Sequence, residues 1–104
     1  MTMFDIGELD DFEQGIARQL RIGDRVLVVI RIEETVYVLD DRCSHEEFSL
    51  AEGEVDVETA EIECARHGAM FRLSDGAATT LPATRPVAHY DVTNTNGRLE
   101  VLLP

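Results

Sequence analysis

The chain has only two cysteines in 104 residues, so no disulfide framework can stabilise its fold. Long apolar runs are missing too. The longest, Val26-Leu27-Val28-Val29-Ile30, is far too short to cross a bilayer, and the N-terminus lacks the basic-then-apolar pattern of a secretory signal. Both absences point to a soluble, cytoplasmic protein. Positive charge is scarce: 9 Lys and Arg stand against 21 Asp and Glu, for a net charge of -12. That balance argues against nucleic acid or an anionic membrane as partner and suits a basic face on another protein. The acidic residues are dispersed (Asp10-Asp11, Glu33-Glu34, Asp40-Asp41, Glu46-Glu47, Glu52 to Glu63), which reads as a largely solvated surface. Helical periodicity nowhere persists. With 44% hydrophobic residues, the chain suits one domain, 1–104, close to the commonest domain size.

What is present reads as strands almost throughout. Arg25 to Ile32 and Thr35 to Leu39 are β-rich runs joined by a Glu33-Glu34 turn, hence a hairpin. Ile16 to Leu20 is a further strand candidate, Phe4 to Leu9 a short edge strand, and Asp10 to Gly15 a loop or single helical turn. Near the C-terminus, Val87 to Val92 and Arg98 to Leu102 flank Thr93-Asn94-Thr95-Asn96-Gly97, whose Asn-Gly step supplies positive φ for a closing hairpin. Weaker candidates lie at Glu54 to Val57 and Glu61 to Glu63. Gly53, Gly68 and Gly76 mark tight points, and Leu81 to Pro86 reads as an extended connection. The expected class is all-β: an antiparallel sandwich or barrel base with a small subdomain, about 42–84, inserted in it.

That inserted stretch carries the chemistry. Cys43-Ser44-His45 is followed by a second pair, Cys64-Ala65-Arg66-His67, after eighteen intervening residues. Two thiolates and two imidazoles form a complete four-ligand metal site. They could hold a tetrahedral zinc in a structural or interaction module, or a 2Fe-2S centre in which two histidines replace two cysteines on one iron. A Cys43–Cys64 disulfide is the bland alternative, made poor by the paired histidines. The remaining histidine, His89, sits in a candidate strand between Ala88 and Tyr90 and is assigned no chemistry.

The C-S-H and C-A-R-H-G segments resemble the C-x-H…C-x-x-H pattern of bacterial Rieske-type ferredoxins. The likeness extends to Val36-Tyr37-Val38-Leu39-Asp40-Asp41, Ser49-Leu50-Ala51-Glu52-Gly53 and Gly76 through Thr84. The resemblance implies one Rieske 2Fe-2S cluster per chain, with Cys43 and Cys64 on one iron and His45 and His67 on the outer one. It implies an electron carrier, not an enzyme, that passes single electrons from a flavin-dependent reductase to the terminal oxygenase of a ring-hydroxylating dioxygenase system; a monomer is the expected state. The chain is too short to carry an oxygen-activating catalytic domain as well. The small subunit of an assimilatory nitrite reductase shares the fold and is the nearest alternative function.

The neighbours of the ligands bear on the potential. High-potential members of the family carry a further cysteine pair and two hydroxyl donors near the cluster; here Phe48 and Arg66 replace the cysteines, and Ala69 and Phe71 replace the serine and tyrosine. Fewer donors leave the reduced state less stabilised, so the expected potential lies at the low end of the Rieske span, on the order of -150 mV. Histidine ligation further predicts a potential that falls as pH rises above neutrality. Phe48, Leu50, Met70 and Phe71 are expected as apolar cover over the ligand loops, with Pro82 covering from a third loop. Gly68 permits either a close approach or an ordinary turn. Glu46 and Glu47 directly follow His45, where two carboxylates could oppose loss of an imidazole proton, attract a basic partner or be simply solvated.

Overall fold

Alternation along two central strands determines the layering. The computed structural model describes residues 2–42, 49–65, 68–81 and 85–104. Ten strands are found among them: β1 (Thr2–Glu8), β2 (Ala17–Ile22), β3 (Arg25–Ile32), β4 (Thr35–Asp40), β5 (Val55–Asp56), β6 (Glu61–Glu63), β7 (Met70–Arg72), β8 (His89–Tyr90), β9 (Val92–Thr95) and β10 (Arg98–Leu103). They form three antiparallel sheets, ordered β1-β10-β9, β2-β3-β4-β8 and β5-β6-β7. The expected all-β class holds, and the helical content described is two single 3-10 turns, Leu9–Asp11 and Leu50–Glu52.

The apolar run in β3 is explained by burial on both faces. Val28 and Ile30, with Leu39 of β4, pack against Leu50, Ile62, Cys64, Ala69, Phe71, Leu73 and Val87. The intervening Leu27 and Val29, with Val38, pack against Phe12, Leu99, Val101 and Leu103. Cross-strand pairs obey the same division, Val28 opposite Leu39 on one face and Val29 opposite Val38 on the other. The β2-β3-β4-β8 sheet is therefore the middle layer. The terminal sheet covers one face and the small sheet with Cys64 covers the other.

Several expected boundaries shift. β2 runs to Ile22, two residues beyond the expected end, because it pairs with β3 as far as Ile22–Arg25. Val87 to Val92 is not one strand: His89–Tyr90 pairs with β4, while Val92–Thr95 leaves for the terminal sheet. The closing turn is only Asn96-Gly97, at φ 53° and 89°, since Thr95 already pairs with Arg98. This is the positive-φ pair that a two-residue hairpin uses. Glu54 to Val57 contracts to Val55–Asp56, Glu61 to Glu63 holds as β6, and β7 falls in a stretch expected only as apolar cover.

Candidate metal centre

Of the four expected ligands, the structure describes Cys64. Cys43, His45 and His67 lie outside the described residues, as do Glu46, Glu47, Phe48, Arg66 and Pro82. The segments that carry them are nevertheless rooted in described backbone, and those roots define the site.

The first root is the exit of β4. Asp41 N–H donates to the Val26 carbonyl at 3.0 Å, and the Asp41 carbonyl accepts from Leu50 N–H at 2.5 Å. Arg42 and Ser49 form an antiparallel bridge, so the two ends of segment 43–48 are held side by side. The Asp41 side chain completes the closure. Its carboxylate accepts from Gln19 Nε2 (2.7 Å), Ser49 Oγ (2.5 Å) and the Ala51 N–H (2.9 Å). Asp41 is 4% exposed and is the buried charged residue among those described. This corrects the reading of Asp40-Asp41 as solvated surface. Asp40 is also engaged, accepting from the Tyr90 hydroxyl at 2.7 Å; burial, with that bond, pushes the Tyr90 phenol above its ordinary pKa. Alternation offered a signal for Asp41: two residues after Leu39, it falls on the same face of the strand, toward the small sheet.

The second root is the β6–β7 hairpin. Its ladder extends past Glu63–Met70 through a Cys64 N–H to Ala69 carbonyl bond of 2.7 Å, and the Cys64 carbonyl accepts from Gly68 N–H at 2.9 Å. Gly68 sits at φ 74°, a backbone conformation that glycine adopts without strain and that suits the expected turn. Cys64 is fully buried. Leu50 and Phe71, expected as cover over the loops, lie with Cys64 in the interior core, while Met70 is half-buried.

The two roots are joined to each other. After the Leu50–Glu52 turn, Glu54 accepts through its carbonyl from Glu63 N–H at 2.8 Å, one residue before Cys64. Gly53 allows this approach, since a Cβ there would stand 1.6 Å from the Glu63 carbonyl oxygen. The stretch leading to Pro82 is tied to the same hairpin: Thr79 N–H donates to the Met70 carbonyl at 2.9 Å, and Thr80 Oγ1 accepts from Met70 N–H at 2.8 Å. Thr79 Oγ1 also donates to the Glu61 carboxylate. Gly76 closes this stretch against Val87, whose carbonyl oxygen lies 2.0 Å from where a Cβ would be.

Residues 2–91 match the family model described as Rieske [2Fe-2S] domain. The chain belongs to this family. Its relatives include the ferredoxin subunit of 3-phenylpropionate/cinnamic acid dioxygenase from Escherichia coli (strain K12), 37% identical over 79 residues, which are 76% of this chain and 74% of that one. Among solved structures, the ferredoxin of carbazole 1,9a-dioxygenase from Nocardioides aromaticivorans IC177 superposes with a TM-score of 0.95 at 31% identity, covering 100% of both chains. A complex of reduced oxygenase and oxidised ferredoxin in carbazole 1,9a-dioxygenase contains a chain that matches with a TM-score of 0.86 at 30% identity, over 95% of this chain and 91% of that one. The cofactor is accordingly a Rieske 2Fe-2S cluster. The residues present fit it: the sequence holds two cysteines and three histidines, the donor types of a Rieske centre, and Cys64 is enclosed among Leu50, Ile62, Ala69 and Phe71 at the end of a hairpin closed by backbone bonds. The family match replaces the zinc reading. Among the described residues, no helix is long and apolar enough to cross a membrane.

Proposed function

We propose that this chain is the ferredoxin of an aromatic-ring dioxygenase system, a single 1–104 domain whose inserted subdomain, about 42–84, holds the cluster. Cys43 and Cys64 ligate one iron and His45 and His67 the other. The cluster supplies a site that takes up and gives back one electron. The observation that carries this reading is the joining of the two roots: Asp41–Ser49 and Cys64–Ala69 are stitched together through Gly53, Glu54 and Glu63. The described backbone flanking the two Cys-His segments is thus one hydrogen-bonded frame, which supports this reading. The apolar packing around Cys64 keeps water from its side of the site and lowers the local dielectric, and the closed hairpin holds the Cys64 backbone in place.

The partners are a flavin-dependent reductase and a terminal oxygenase. The carbazole system's ferredoxin–oxygenase complex, with a chain 30% identical to this one, supports the second of these. The -12 net charge favours basic docking faces on them. The carrier works as a cytoplasmic monomer. The test is a potentiometric titration followed by visible absorbance. We expect one electron per chain near the low end of the Rieske span, on the order of -150 mV. A potential above roughly +100 mV would overturn the ferredoxin assignment. A nitrite reductase small subunit would instead exchange electrons with a nitrite-reducing partner and not with an oxygenase.

A further inference from the structure

We infer that Asp41 is a positioning residue for the first ligand segment, and that its buried negative charge holds the cluster's potential down. The inference rests on the proposed ligation by Cys43 and His45.

Asp41 stands where segment 43–48 leaves the sheet, and its contacts reach both sides of that segment. Gln19 approaches from β2, while Ser49 and Ala51 approach from the returning chain. All three groups donate to the Asp41 carboxylate. Gln19 Nε2 also reaches Ser49 Oγ at 3.3 Å, so these side chains close a ring around Oδ2. With the Arg42–Ser49 bridge, this sets the separation and direction of the two chain ends between which Cys43 and His45 lie.

The charge has a second consequence. Two peptide units separate Asp41 from Cys43, so their Cα atoms stand no more than about 7 Å apart. At 4% exposure the carboxylate is poorly screened by water, so its field falls off more slowly with distance than that of a surface carboxylate. Reduction of a cluster ligated by Cys43 would add negative charge within that field and is disfavoured. The Ser49 hydroxyl, with its proton directed at the carboxylate, partly offsets that field.

The test is the midpoint potential of the loaded protein in two single variants, D41N and S49A, with D24N as control. Asp24 is exposed and lines the same groove as Gln19, Asp41 and Ser49. D41N removes the charge and should raise the potential. S49A keeps the charge, removes a compensating donor and should lower it. D24N should leave it unchanged. A loop that is merely loosened would shift D41N and S49A in the same direction, and that result overturns the inference, as does an unchanged potential in both. If D41N takes up too little iron to titrate, the sign of the S49A shift decides: downward supports the inference, upward or none overturns it. The wild-type protein separates this from the proposed function. If it has no Rieske spectrum, that function fails; if its spectrum is intact and the variants do not diverge, only the role of Asp41 fails.

Discussion

β10 pairs with β1 over six positions and with β9 over four, whereas β6 pairs with β5 over two and with β7 over three. Both sheets pack on the same central strands, but they are stabilised differently. The terminal sheet relies on repetition: Leu99, Val101 and Leu103 alternate inward along β10 and meet Leu27 and Val29. The small sheet has too few residues for repetition to specify it. It depends on single contacts, such as Gly53 against Glu63, Gly76 against Val87 and Asp41 against Ser49. Periodic burial builds the base, and individually placed atoms build the cluster side.

That difference is open to attack where one atom is decisive. Gly53→Ala would place a Cβ 1.6 Å from the Glu63 carbonyl oxygen, and neither backbone segment can yield without parting the two ligand roots. We expect the largest effect here, a destabilisation above about 4 kcal/mol, with iron bound well below one cluster per chain. Full iron content with a near-native melting temperature would mean that the roots are not welded at this point.

A matched pair of cavities compares the two faces directly. Ile30 faces the small sheet and Leu27 the terminal sheet, and both are fully buried. Ile30→Ala and Leu27→Ala should each cost about 2–5 kcal/mol, measured by chemical denaturation. Only Ile30→Ala should also hasten loss of the visible absorbance under a chelator. Equal rates of loss would show that the two faces act as one body.

The legibility of the sequence follows the same line. Strands β3 and β4 are readable as continuous runs of β-branched and aromatic residues, β10 because Leu99, Val101 and Leu103 alternate, and Asn96-Gly97 because its turn needs positive φ. β7 and the true ends of the C-terminal hairpin are not, since Met70-Phe71 reads equally well as apolar cover and the switch of partner between Tyr90 and Val92 leaves no mark in the pattern. At the site, the two Cys-His pairs stand out as a motif, while Asp41, which ties the two ends of segment 43–48, is hidden in an acidic dipeptide. Asp40 and Asp41 look alike in sequence, and only the face on which each falls distinguishes them. Glu33 likewise looked like plain turn surface, yet it adopts φ 57° to close the β3–β4 hairpin.

The smallest expected effect belongs to an exposed pair on the cluster side. Arg72 beside Asp75 at 2.7 Å, with the Ala77 N–H, lowers the Asp75 carboxyl to about 2. Because the folded pKa is depressed, the contribution is complete above about pH 4 and is lost as pH falls through about 2. Asp75→Asn should therefore flatten only the acid end of the stability profile. Solvent screening keeps the change small, and a variant that weakened the protein equally at pH 7 and at pH 2 would show a role other than this charge pair.

The central claim, that Cys43, His45, Cys64 and His67 hold a 2Fe-2S cluster, is tested most directly by electron paramagnetic resonance of the dithionite-reduced protein. The account predicts a one-electron signal with the low average g value of a histidine-ligated centre, in proportion to bound iron. A silent spectrum with stoichiometric zinc, or the signal of an all-cysteine cluster, would contradict it.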